Sequence, residues 1–568
     1  MQSKFLFPTG SRSPASFVPV HLGRHPSLAN PQIRRREKKG EFQGLNSSNS
    51  KEDSLLVTRV ASLEAETDVA ADKILDVSGV TEPQQAPFSW TKQWYPLAFT
   101  NYLDPKVPHP KELLGVRLVL WRNAQGTWSC FEDRCPHRLA PLSEGRIEPS
   151  DGTLMCSYHG WRFQGDGKCT DIPQALDEKA NSIACANQRS CATARPTKVM
   201  QGMIFVWGES GPQAAAEADA MPVPGLPDVE MSEAHATRDR FGKPHRNFIS
   251  QYYRELPYGW DVLAENLQDP SHLPWAHHDV LNRRDDVKSG HYRMSPRTPL
   301  DSHTGADTVS TAGESIRPRV GDIMARAFEF NPPSMIRWYT LEKDQPMPEK
   351  GYVNLTAFHV VPNGPQRSSV FFNGFFSEEG YKTLPLPGRL VFNFRPKWAS
   401  HLFVHNVFDG DSKILHVQER ILAETGTQHE SGWRKNYFMP AQADRLVAAF
   451  RKWLDMRAGG GPPTKLPKDL PPLVDRQEVF LNRYEQHTKH CPYCSAAMKS
   501  FQRLRVAVSA LGALSLLALS SAFGRGLAPL SPVPMGLSAG AVVCLAAWFA
   551  ISHLLKRFQF IGYNHSEK

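Results

Sequence analysis

The chain has 568 residues, 40% of them hydrophobic, with 66 Lys and Arg against 57 Asp and Glu for a formal charge of +9. That length calls for several domains, and the apolar share is ample for large cores. The charge excess is no nucleic-acid signature: residues 1–60 hold ten Lys/Arg against four Asp/Glu, which is +6 of the +9, and no basic stripe interleaved with aromatics follows, so no nucleic-acid partner is expected.

The first 36 residues contain no acid, several Ser, and Arg12, Arg24, Arg34, Arg35 and Arg36. They also lack the apolar core of a secretory signal, so residues 1–60 read as an organellar transit peptide, with Ser and Pro content favouring the chloroplast. Residues 61–87 stay polar and read as a disordered linker. Residues 88–212 form short apolar runs broken by Gly, Pro and Asp, clearest at Val116–Arg122 and Met203–Trp207. These predict a small antiparallel β domain.

Inside that domain stand Cys135-Pro136-His137 and, after eighteen residues, Cys156-Ser157-Tyr158-His159. Two Cys and two His on two tight loops are the ligand set of a Rieske [2Fe–2S] cluster, Cys on one iron and His on the other. Zinc sites of the finger type pair like with like, C-x2–4-C with H-x3–5-H, whereas each half here joins one Cys to one His. A Cys135–Cys156 disulfide would leave both histidines without a purpose. Leu139, Tyr158 and Trp161 are expected to keep water off the sulfurs.

Gly211–Ala220 reads as a linker or insertion, and residues 221–480 mix strands (Tyr352–Val361, Val370–Phe376) with helices (the His272 region, Asp411–Thr425, Ala441–Arg457), an α+β pattern with a twisted antiparallel sheet. Here Glu265-Asn266-Leu267-Gln268-Asp269-Pro270-Ser271-His272 is followed by His277. Two His joined by one carboxylate make the facial triad of non-haem Fe(II) oxygenases. Pro270 and Pro274 rule out a regular helix through the pair. The carboxylate is sought in Phe408-Asp409-Gly410-Asp411, where Asp411 is preferred and Asp409 is the alternative; D-G-D also suits a hairpin turn. The Phe371-Phe372 and Phe375-Phe376 pairs fit sheet core first and an apolar pocket second.

Nine Cys in a chain this long give no disulfide framework. Residues 487–500 carry Cys491-Pro492-Tyr493-Cys494, a C-x-x-C pair that reads as a redox-regulatory candidate open to thioredoxin; His487 and His490 permit a metal site too, but four ligands in eight residues are cramped. Residues 506–523 and 535–555 are long and apolar enough to cross a bilayer. With the Gly/Pro-rich link between them and cationic flanks, they predict a membrane hairpin.

From Trp94-Tyr95-Pro96 through R-C-P-H-R-L-A-P-L-S-E-G (134–145), C-S-Y-H-G-W (156–161) and Ile172-Pro173-Gln174, then E-N-L-Q-D-P-S-H, Ala276-His277-His278 and the late C-x-x-C, the chain resembles a Rieske non-haem iron oxygenase of the chloroplast pheophorbide a oxygenase-like family. The resemblance implies a ferredoxin-dependent monooxygenase holding a [2Fe–2S] Rieske cluster and a mononuclear Fe(II), with reduced ferredoxin and O2 as partners. It implies a head-to-tail homotrimer, in which Asp269 bridges iron ligand His272 to Rieske ligand His159 of the neighbour. It implies a tetrapyrrole substrate, with pheophorbide a opened to a red catabolite at the thylakoid or inner envelope membrane, catalytic domains facing the stroma. Protochlorophyllide, a phyllobilin or a flavonoid are alternative substrates. A redox-sensing subunit of an import complex is the alternative without oxygenation.

Overall fold

The computed structural model describes residues 88–567 apart from 227–228, 232–235, 240–245, 282, 285–292, 297–305, 312–325, 342–351, 426–432 and 465–475. The expected transit peptide (1–60) and linker (61–87) lie outside the described residues.

The N-terminal part is built from β1 (Trp94–Phe99), β2 (His109–Leu113), β3 (Val116–Arg122), β4 (Trp128–Glu132), β5 (Arg146–Ile147), β6 (Leu154–Met155), β7 (Arg162–Phe163), β8 (Cys169–Asp171), β9 (Ala194–Arg195), β10 (Thr197–Met200) and β11 (Met203–Trp207). They form antiparallel sheets ordered β1–β11–β10, β2–β3–β4–β9 and β5–β6–β7–β8. Strand β3 shows why these residues take this form. Its side chains alternate between two faces, so Leu118 and Leu120 enter one core while Val119 and Trp121 enter another. The second core, with Phe131, Leu142, Leu154 and Phe163, is the one that holds Cys135 and Cys156.

Helices α1 (Glu178–Ala186) and α2 (Ala214–Ala220) follow. The stretch predicted as a linker is therefore partly helix. Its Ala-rich run has the highest intrinsic helix propensity, and Ala214 and Ala218 are small enough to bury in the main core. There the indole of Trp94 donates to the carbonyls of Ala218 (3.2 Å) and Met221 (3.1 Å).

Beyond it come β12 (Val229–Met231), β13 (Ala236–Asp239), β14 (Arg246–Leu256), α3 (Trp260–Asn266), α4 (Leu273–Ala276), β15 (Arg293–Pro296), β16 (Ala306–Thr311), β17 (Arg326–Asn331), β18 (Met335–Leu341), β19 (Tyr352–Gly364) and β20 (Arg367–Phe376). One antiparallel seven-stranded sheet runs β14–β20–β19–β18–β17–β16–β15. Phe371, Phe372 and Phe375 are buried in it, as sheet core. Helices α5 (Glu378–Thr383), α6 (Leu386–Phe394), α7 (Lys397–Glu424), α8 (Trp433–Asn436), α9 (Arg445–Arg457), α10 (Gln477–Phe480), α11 (Pro492–Gly524) and α12 (Pro532–Arg557) complete the chain, with a π-helical turn at Tyr484–Thr488. One apolar cluster runs from Trp94 and Trp207 through Trp260 and Phe371 to Trp453, so the β domain and the α+β domain share a core.

Helix α7 begins at Lys397, well before the Asp411 start that the sequence suggests, and D-G-D lies in its middle rather than in a turn. Glycine costs a helix interior about 1 kcal/mol, and here close packing explains its presence. A Cβ on Gly410 would stand 2.9 Å from His277 Nδ1 and 3.1 Å from the Ala276 carbonyl. Bare backbone at 410 lets α7 reach the histidine loop.

Further along α7, Glu419 is buried and accepts from the Gly259 N–H at 3.0 Å. Burial, then the charge of Asp261, pushes its carboxyl up to about 8 from 4.5. Between those values the folded chain holds a proton that the unfolded chain has released, so stability falls as pH rises through the window and is level above it. Glu419→Gln keeps an acceptor for Gly259 and cannot ionise. It is expected to gain on the order of 2–4 kcal/mol over the native chain at pH 8 and almost nothing at about pH 4, below the unfolded value. Scanning fluorimetry in detergent checks this; equal midpoints at pH 8 would rule Glu419 out as a titrating group.

All nine cysteines are free. Helices α11 and α12 enclose the two predicted spans, and at 33 and 26 residues each exceeds the bilayer core in length. Only 6% and 0% of their apolar windows are buried, which separates them from core helices of a soluble fold. They pack through small residues, with a Cβ on Gly512 placed 3.3 Å from Cys544 Cβ.

Candidate metal centres

The two loops of the β domain are near copies of each other. In the first, Cys135 N–H donates to Ala140 O (2.8 Å) and Leu139 N–H to Cys135 O (2.9 Å); in the second, Cys156 N–H donates to Trp161 O and Gly160 N–H to Cys156 O, both at 2.9 Å. The fourth residue after each Cys is left-handed, with φ 60° at Leu139 and 76° at Gly160. Glycine adopts that region freely, and Leu does so at a cost.

These loops bring the thiols of Cys135 and Cys156 within hydrogen-bonding reach of each other. The rings of His137 and His159 stand 4.6 Å apart. Both thiols are buried, while His137 is exposed and His159 half-buried. Trp161 stacks on His137 at 4.6 Å and 7°. Leu139 and Tyr158 do not shield the sulfurs as the sequence suggests: they are 66% and 59% exposed, and Leu142, Leu154 and Phe163 pack in the thiol core instead. Two buried thiols and two outward imidazoles, with no disulfide, fit a Rieske cluster.

The second centre lies where α3, the loop into α4, and α7 converge. His272 precedes α4 and His277 follows it, and their rings are 5.2 Å apart. Asp411 Oδ2 is 3.3 Å from His277 Nε2, and its Oδ1 is 3.8 Å from His272 Nε2. One donor atom from each of the three falls within 4.8 Å of the others. Both ring nitrogens of His277 are buried without a hydrogen-bond partner among the described residues. The 3.3 Å approach to Asp411 is thus a shared direction rather than a hydrogen bond, as expected of donors aimed at a common point. Two imidazoles and one carboxylate fit a ferrous ion with open positions.

Asp269 sits beside this group, its Oδ2 3.6 Å from His272 Nδ1. Its Oδ1 accepts from the Ser271 N–H (2.7 Å) and hydroxyl (2.5 Å). Burial pushes its carboxyl up, but His272 and Ser271 outweigh burial and hold it below the usual range. Asp409 faces elsewhere: Arg254 Nη2 meets its Oδ1 and Arg483 Nη2 its Oδ2, both at 2.6 Å, with all three side chains buried. Glu265 of the same motif braces helices, bound by Arg451 of α9, by Gln418 of α7 (3.2 Å) and by Tyr437 (3.4 Å).

Three residues escape sequence reasoning. Tyr563, beyond α12, donates to the Ala276 carbonyl at 2.8 Å and so fixes the His277 loop from the C-terminal tail. Arg254 and Arg483 neutralise Asp409. No spacing signal marks any of the three. Cys491 and Cys494 are buried at the N-terminus of α11 and belong to neither of these ligand sets.

Residues 93–184 match the Rieske [2Fe-2S] domain, and residues 330–429, which include Asp411, match the pheophorbide a oxygenase domain. The chain is 34% identical over 509 residues to the chloroplastic pheophorbide a oxygenase of Oryza sativa subsp. japonica, covering 86% of this chain and 88% of that protein. It is 34% identical over 509 residues to the chloroplastic pheophorbide a oxygenase of Arabidopsis thaliana, covering 87% of each. It is 30% identical over 495 residues to the chloroplastic flavonoid 8-hydroxylase 2 of Ocimum basilicum, covering 86% and 88%. A Rieske loop pair, a two-His one-Asp group among the helices of the α+β domain and likeness along nearly the whole length lead to one assignment: the chain belongs to the pheophorbide a oxygenase family of Rieske-type oxygenases.

Proposed function

We propose that this chain is a chloroplast membrane-anchored, ferredoxin-dependent monooxygenase that opens the macrocycle of pheophorbide a to a red catabolite. The observation that carries the substrate is the greater identity to two pheophorbide a oxygenases (34%) than to the flavonoid 8-hydroxylase (30%) or to the protochlorophyllide-dependent translocon component 52 of Arabidopsis thaliana (29%).

Cys135, Cys156, His137 and His159 would hold the [2Fe–2S] cluster, and His272, His277 and Asp411 the ferrous ion. Bound there, these groups supply single electrons and dioxygen activation respectively. The residues around them position and insulate. Trp161 fixes the His137 ring, Gly410 lets α7 deliver Asp411, and Tyr563 holds the loop between the two histidines. The exposed edge of His137, with Leu139 and Tyr158 beside it, supports docking of this face on a second copy in a head-to-tail trimer. Asp269, a quarter exposed, is then the bridge from His272 to the neighbour's imidazole. The hairpin α11–α12 anchors the chain, with the catalytic part on the stromal side of the thylakoid or inner envelope membrane.

Asp269→Ala is expected to slow turnover by about 10–100-fold with iron content unchanged; loss of iron in that variant would make Asp269 a ligand or a folding residue instead. The substrate is tested by incubating the full chain, in detergent, with reduced ferredoxin, O2 and each of pheophorbide a, protochlorophyllide, a phyllobilin and a flavonoid. Oxygen incorporation into pheophorbide a is expected. Preference for another of these would move the assignment to that compound, and no turnover with any of them at full iron loading would favour a redox-sensing subunit.

A further inference from the structure

Cys491 and Cys494 do not stand alone. Cys491 caps the N-terminus of α11 and Cys494 lies in its first turn. The π-helical turn just before them supplies His487, and the start of α7 supplies His401. All four side chains are buried, and one donor atom from each lies within 4.8 Å of the others. His401 Nδ1 is 3.4 Å from Cys491 Sγ and 3.6 Å from Cys494 Sγ, and His487 Nε2 is 3.3 Å from Cys494 Sγ. A tetrahedron with zinc–sulfur bonds of about 2.3 Å and zinc–nitrogen bonds of about 2.0–2.1 Å has nitrogen–sulfur edges of roughly 3.6 Å. The three measured edges lie close to that value.

The surroundings aim the ligands. His487 Nδ1–H donates to the Tyr253 carbonyl, which leaves the Nε2 lone pair toward the sulfurs. Its ring stacks on Tyr252 at 4.7 Å and 18°. Single π-turns of this kind often mark functional sites. His490, the local partner that sequence proximity suggests, points elsewhere, toward the Glu485 carbonyl (3.1 Å) and Glu255 (3.7 Å). Replacing it by His401 from a distant helix removes the crowding of four ligands in eight residues.

We propose that His401, His487, Cys491 and Cys494 form a closed structural zinc site, separate from both iron centres. Two thiolates and two imidazoles, with no carboxylate among them, select zinc over magnesium, calcium or manganese. Four protein ligands leave no open position, the mark of a structural rather than a catalytic site. The site joins α7, which carries Asp411 about three turns further on, to the first residues of the membrane hairpin. Zinc there fixes the hairpin to the helix that completes the iron site. A thioredoxin switch needs reachable thiols, and both of these are fully buried.

The test is metal analysis of the full chain, purified in detergent under reducing conditions. About one zinc per chain is expected beside the iron, and zinc-edge X-ray absorption should show two sulfurs near 2.3 Å and two nitrogens near 2.0 Å. His401→Ala should lose the zinc and keep the Rieske electron paramagnetic resonance signal. His401→Cys, which restores a ligand, should keep zinc with three sulfurs, so that a folding defect in the alanine variant does not decide the matter. Native protein without stoichiometric zinc, a Cys491–Cys494 disulfide in that protein, or full zinc retention in His401→Ala would each overturn the site.

Discussion

Asp411→Ala is expected to give a folded protein that keeps its Rieske signal but binds about two irons per chain in place of three. Among the described residues, Asp411 is the one carboxylate placed against both His272 and His277. Removing it leaves two imidazoles, one of them with both nitrogens unpartnered among the described residues, and takes away the anionic donor that suits a hard, doubly charged ion. Turnover should therefore fall by more than the roughly 100-fold typical of changes just outside a ligand shell. Asp411→Glu keeps the charge but carries it one methylene further from α7, so it should retain part of the iron and less of the activity. Iron assay together with paramagnetic resonance checks both variants. A third iron retained in Asp411→Ala would exclude the ligand role.

The degree to which this centre can be read in the sequence follows from how local its parts are. The Rieske ligands sit on two short loops that make the same hydrogen bonds twice, so motif and geometry are nearly one thing. His272 and His277 are almost as local. The third ligand is not. Asp409 and Asp411 lie two residues apart on one helix, where successive positions turn by about 100° and i, i+2 side chains point to different sides. Without knowing which side of α7 faces the histidines, residue type cannot choose between them, and reading D-G-D as a turn conceals that a helix is involved at all. The need for glycine at 410 has its origin in a contact made across the fold, with His277. The same limit applies to Cys491 and Cys494: their sequence neighbours supply one histidine, and the other arrives from α7. The stretch 211–220 is a different case. Its small residues suggest a linker by composition, but they are also what a helix needs to bury against Trp94.

Asp409→Ala, two residues away on α7, is expected to fail by another route. Arg254 and Arg483 both point at Asp409 from inside the core, and the three side chains are almost without solvent contact. Arg483 also holds Asn406 (2.9 Å) and the Arg557 carbonyl at the end of α12 (2.9 Å), so the carboxylate sits between the sheet, α7 and the end of the hairpin. Removing it leaves two guanidinium groups buried without a counter-charge, and breaking a buried ion pair in this way costs about 3–5 kcal/mol. The variant should express poorly, unfold at a lower temperature and lose both iron centres together, because the defect is in the fold. Asp409→Asn keeps the volume and some hydrogen bonds but not the charge, and should recover only part of the loss. Replacing Arg254, Asp409 and Arg483 together by apolar residues of similar volume should recover more, since buried ion triads often exchange for packed apolar groups at little cost. Thermal and denaturant unfolding of the four proteins orders them directly. If Asp409→Ala unfolds within about 1 kcal/mol of the native chain, a range typical of exposed pairs, the triad is solvated and Asp409 is no anchor of α7.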